Sequence, residues 1–95
     1  LGIDDIRLLL VQSEGIPILA PLALTALMQD PLADATYYPG DLLCAVVRVD
    51  LSYWVSNPDE LDRLQAVINR AEHLGYPDSR VHSEIAAFQH RLDTC

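Results

Sequence analysis

Three histidines, two cysteines and fourteen carboxylates are the residues of this chain whose types could carry chemistry. His82 and His90 stand eight apart with Glu84 between them, and His73 lies further back. A metal pair on a helix needs imidazoles four apart on one face, and no cysteine is near these. They read as solvated helix residues. The five serines, at 13, 52, 56, 79 and 83, sit in no nucleophile elbow, and no glycine-rich phosphate loop is present. Asp4-Asp5 and Asp59-Glu60 are adjacent carboxylates, a pattern that serves acid–base pairs but also the positive ends of helices. Both pairs precede apolar periodic runs, which favours the helix reading. Cys44 lies in the apolar run LLCAVV and Cys95 ends the chain. They read as a small buried hydrophobe and a terminal thiol. No catalytic, cofactor-binding or metal-ligating residue is expected, and the chain reads as non-enzymatic. A small carboxylate-based hydrolase remains a rival.

Binding chemistry is better represented. The stretch DPLADATYYPGDLL, residues 30–43, holds Asp30, Asp34 and Asp41, two tyrosines and no base. Tyr37, Tyr38, Tyr53 and Trp54 fall within 18 residues of one another. Tyr and Trp dominate binding hot spots because they bury large area and keep a polar handle. They also pin loops onto cores. In an extended segment Tyr37 and Tyr38 point opposite ways, so each reading is open to one of them. Trp54 leans to the core.

The elements that hold these residues are helical. A first helix is expected from Asp4 to Gln12 or Ser13, stopped by Gly15. A second spans Pro17 to Gln29. It has almost no polar face, which predicts a central position, and Pro21 must lie in its first turn or kink it. Asp41 is placed to cap a third, buried helix from Leu42 to about Val49. A turn or short helix carries Ser52 to Trp54. Asn57, Pro58 and Glu60 have capping-box spacing, and the stripe Leu61, Leu64, Val67, Ile68, Ala71 and Leu74 ends at Gly75 and Pro77. Asp59 and Arg63 have the order and spacing of a helical ion pair. The last helix begins after Asp78 or Ser79 and presents Val81, Ile85, Phe88 and Leu92. The result is an all-α fold, a single domain over 1–95 built as a bundle of about five helices.

Totals narrow the class. Ninety-five residues, 51% apolar and 21% charged, suffice for a core without staples. No apolar run is long enough to span a bilayer, and the acidic start lacks the basic region of a secretory leader, so a cytoplasmic location is expected. Fourteen acids face six bases, every base is arginine, and the net charge is −8. Direct nucleic-acid binding needs a basic footprint and is disfavoured. Acidity of this kind serves solubility, and it also steers basic partners.

The ordered set Pro21-Leu22-Ala23-Leu24, Asp30-Pro31-Leu32, Tyr37 to Leu43, Tyr53-Trp54 and Pro58 to Leu61 resembles the immunity proteins of bacterial contact-dependent growth inhibition. The likeness runs from about residue 7 to 70 and leaves the last helix unmatched. It implies a cytoplasmic antidote that binds the C-terminal toxin domain of a CdiA protein. Such toxins are often nucleases, some directed at tRNA, and an acidic inhibitor suits their basic substrate face. Immunity is toxin-specific, so shared residues such as Pro39, Gly40 and Asp41 move toward scaffolding. Asp30 and Asp34 become the first partner contacts, with Tyr37 and Tyr38 beside them and Glu14, Asp59 and Asp62 as further ones. No cofactor is implied. The alternative is an acidic helical adaptor or regulatory subunit that uses an apolar helix face and cares little about salt.

Overall fold

The computed structural model describes residues 2–33, 38–76 and 78–94; the expectations placed on Asp34, Tyr37, Pro77 and Cys95 lie outside these. The elements are α1 (Ile3–Val11), α2 (Ile16–Gln29), α3 (Asp41–Val47), α4 (Leu51–Ser56), α5 (Pro58–Leu74) and α6 (Ser79–Thr94). The all-α expectation holds. The sixth helix, α4, is the short segment around Tyr53 and Trp54, held at its start by Asp50, whose Oδ1 accepts the Ser52 amide at 3.0 Å.

The short α3 is the centre of the molecule. All seven of its residues are buried, and it packs on α1, α2 and α6. Around it, α5 rests on α2 and α4. Trp54, Phe88, Leu24, Leu27, Leu42, Leu43 and Leu64 are the largest fully buried side chains. Burial of each such residue contributes about 1.5–3 kcal/mol. The α5 stripe is buried at Leu64, Val67, Ile68 and Ala71, while Leu74 at its end is exposed. In α6 the seam is buried at Val81, Ile85 and Phe88.

The expectation that α2 is surrounded does not hold. Leu19, Ala20, Ala23, Leu24 and Leu27 face the core, but Ile18 is 71% exposed, and Leu22 and Met28 are each 44% exposed. Hydropathy without a polar face could not distinguish a central helix from one with an apolar outer surface. Pro17 occupies the first turn of α2, and Pro21 lies inside the helix. Lacking an amide, Pro21 leaves the Pro17 carbonyl without its helical donor. Thr25 donates its hydroxyl to the Pro21 carbonyl at 3.0 Å.

Several local devices differ from their sequence reading. Gly40, not Asp41, is the N-cap of α3, and Asp41 lies buried inside the first turn. Gly40 has φ 96°, and a Cβ there would come within 2.6 Å of Val81 Cγ2 on α6. Close approach of chain to helix therefore demands glycine at this point. Asn57 starts α5 without capping it by its side chain. Its amide instead donates to the Tyr53 carbonyl at 2.8 Å, closing α4, and Glu60 accepts the Tyr53 hydroxyl. Arg63 turns away from Asp59 and reaches across to Thr25 Oγ1 at 3.3 Å and Met28 Sδ at 3.5 Å. An inter-helix contact has replaced the expected pair within α5.

Candidate partner-binding surface

The aromatic side chains act mainly inward. Trp54 is fully buried and meets the Tyr53 ring edge-on, with centroids 5.1 Å apart at 82°. Tyr38 is half-buried against the core, and the Arg80 guanidinium lies 3.9 Å above its ring. Burial, then the neighbouring Cys44, pushes the Tyr38 hydroxyl up to about 12. Tyr38 thus packs onto the core. Cys44 is a free, buried thiol, itself pushed up by burial. His73, His82 and His90 are exposed. Among the described residues no group of three or more potential metal ligands is assembled, and no helix is long and apolar enough to cross a membrane.

Several arginines make contacts within the molecule while staying at its surface. Arg48 pairs with Glu84 at 2.5 Å and Arg80 with Asp78 at 2.8 Å. Those cations hold Asp78 down at about 2 and pull Glu84 below the ordinary carboxylate range. Arg70 donates to the Met28 carbonyl at the end of α2, and Arg91 to the Val47 carbonyl at the end of α3, at 2.8 Å. Both serve the unsatisfied carbonyls of helix C-termini. Arg48, Arg63, Arg70, Arg80 and Arg91 thus have partners within the molecule, while Asp4, Asp5, Glu14, Asp30, Asp50, Asp59, Asp62, Glu72 and Asp93 are exposed.

Two of the expected site residues, Glu14 and Asp30, flank α2 at its two ends. Ile18 and Leu22, one turn apart, are exposed on its outer face, and the exposed Met28 lies round toward α5, where Arg63 reaches its sulfur. Glu14 precedes the first turn of α2, and Asp30 is its C-cap, with Oδ1 accepting the Leu32 amide at 3.2 Å. These ends are about 21 Å apart at the helical rise. On the flank, α5 is anchored to α2 by Arg63 and Arg70. Asp59 shares their row on α5 at helical spacing, and Asp62 lies one position further round. An apolar strip with carboxylates at both ends and along one side has the make-up of an interface core with a charged rim. Tyr38 is not on it, being held against α6 by Arg80.

Sequence reasoning missed a cleft at the start of α2. It measures about 440 Å³ and opens between Ser13, Ile16 and Pro17 on one side and α4 with its flanks, including Asp50, Tyr53 and Asn57, on the other. The only trace in the sequence is the D-L-S capping pattern at Asp50 to Ser52.

Residues 1–64 match a family model described as CDI immunity proteins. No curated protein and no solved structure matches the chain.

Proposed function

The chain belongs to the CDI immunity proteins, and on that premise we propose that it neutralises its cognate CdiA C-terminal toxin domain by laying the outer face of α2 over a basic active-site face of the toxin. The toxin in this reading is a nuclease, with tRNA as a fitting substrate, because a phosphate-binding face supplies the cations that the acidic rim complements. Ile18 and Leu22 form the desolvated centre, with Met28 at its edge toward α5. Glu14, Asp30, Asp59 and Asp62 form the rim on the described residues, and Asp34 and Tyr37 are proposed as further partner contacts.

The observation that carries the reading is the disposition of charge. Arg48, Arg63, Arg70, Arg80 and Arg91 are engaged within the molecule while nine carboxylates are exposed, and Ile18 and Leu22 of α2 are exposed apolar side chains. Rim charge raises the association rate and sets salt dependence, whereas the apolar centre holds the complex together.

Co-expression with the cognate toxin domain tests the function directly: cells carrying both should grow, and cells carrying the toxin alone should not. Replacement of Ile18 by Ser should weaken binding by on the order of 30-fold, the value of a hot-spot residue of about 2 kcal/mol. Binding that survives this change untouched would remove α2 from the interface. An adaptor docked through the apolar strip alone would show nearly the same affinity at low and high salt.

A further inference from the structure

The cleft at the start of α2 is rich in acceptors and carries charge of one sign. Among its lining residues Asp50 alone is charged. Its Oδ1 takes the Ser52 amide at 3.0 Å, and an ionised carboxylate has further lone pairs to offer a ligand. The Ser52 amide and hydroxyl also hold this carboxyl below its usual range, so it is ionised at neutral pH. Ser13, Ser52 and Ser56 add hydroxyl oxygens. Asn57 uses its amide nitrogen on the Tyr53 carbonyl and so keeps its side-chain oxygen as an acceptor. Pro17 lines the cleft too, and its carbonyl has no i+4 helical donor because residue 21 is proline. The Tyr53 ring, fixed edge-on by Trp54 and tied through its hydroxyl to Glu60, adds an aromatic surface.

A ligand matched to this lining is a cation with many donors and a flat body. Guanidinium has five N–H groups in a planar fork and stacks on aromatic rings, whereas ammonium offers three donors from a point charge. We infer that the cleft is a socket for one arginine side chain of the toxin domain, its guanidinium on Asp50 and the surrounding oxygens. The inference rests on the reading that the toxin covers α2. Ile16 and Pro17 belong both to the wall of the cleft and to the first turn of that helix, so one partner reaches both.

The test uses the full chain and its cognate CdiA C-terminal toxin domain, with affinity measured by calorimetry and folding checked by thermal melts. Asp50→Asn removes the charge and keeps a residue able to cap α4. Ser56→Trp plugs the opening. Asp93→Asn removes one exposed charge elsewhere, on α6, and reports general field effects. The expected result is a loss of tenfold or more for Asp50→Asn and for Ser56→Trp, with Asp93→Asn within twofold. An alanine scan of the toxin's basic residues should then find one arginine whose loss costs nothing further in the Asp50→Asn background.

Asp50→Asn and Ser56→Trp both within twofold, while Ile18→Ser loses tenfold or more, would overturn the socket and leave the α2 reading in place. All three within twofold would overturn both. Equal losses for Asp50→Asn and Asp93→Asn would reduce the effect to net charge, and coupling to a lysine would refute the choice of arginine.

Discussion

Replacing Gly40 by alanine separates two ways in which one glycine can be required. Gly40 and Gly15 both have positive φ, 96° and 65°. A Cβ in that region costs roughly 1–2 kcal/mol, offset by about 0.4–1 kcal/mol because alanine restricts the unfolded chain. At Gly15 the added carbon would lie 3.7 Å from Leu19, an ordinary contact, so about 1 kcal/mol should be the whole effect. At Gly40 it would also lie 2.6 Å from Val81 Cγ2 and 3.4 Å from Cγ1, with Val81 fully buried on α6. Overpacking of this kind adds roughly 1–3 kcal/mol, which gives about 3 kcal/mol in all. The melting temperature should then fall by on the order of 15 °C in a domain of this size. Urea unfolding followed through the single, buried tryptophan, Trp54, is the assay. Val81→Ala removes the atoms that the new carbon meets, so Gly40→Ala in that background should cost only about 1 kcal/mol. Equal costs for Gly40→Ala and Gly15→Ala, or additivity with Val81→Ala, would refute the claim that α6 presses on this turn.

Three further outcomes follow from the charges. Asp30, Asp59 and Asp62 replaced together by Asn should slow association with the toxin domain and lower its dependence on ionic strength. An unchanged salt slope in binding kinetics would remove these residues from the rim. The Tyr53 hydroxyl is raised to about 12 by burial and then by Glu60, so its contribution to stability is complete below pH 10 and is lost as pH rises through 12. Absorbance at the phenolate band should lose one of its late-titrating tyrosines in Tyr53→Phe, and that one should titrate earlier in Glu60→Gln, while Tyr38 and Tyr76 stay late. Asp78, lowered to about 2 by Arg80, and Glu84, lowered by Arg48, act in the opposite sense. Their stabilisation is present above pH 4 to 5 and falls away as pH drops toward 2, and Glu84→Gln combined with Asp78→Asn should flatten the urea midpoint across that window.

Much of the fold was legible because helices are written in local periodicity. The boundaries of α5 at Pro58 and Gly75, the α6 seam of Val81, Ile85 and Phe88, and the burial of α3 all follow from spacing within a dozen residues. The acidity of the surface was legible too, since a chain with six bases and fourteen acids cannot conceal the difference. Partner choice was not. Arg63 had Asp59 four residues away and took Thr25 and Met28 instead, 38 and 35 residues distant in sequence. Asn57 and Glu60 had the spacing of a capping box and were drawn into holding Tyr53.

What the sequence determined by itself was helix type, most boundaries and the sign of the surface, because each depends on residue identity or near neighbours. Tertiary structure alone decided that α3 rather than α2 is the centre, that α2 keeps Ile18, Leu22 and Met28 outward, and that Asp50 shares a cleft with Ser13. Those outcomes depend on which faces meet when distant segments pack, and an apolar residue carries no mark of the side on which its neighbour will stand.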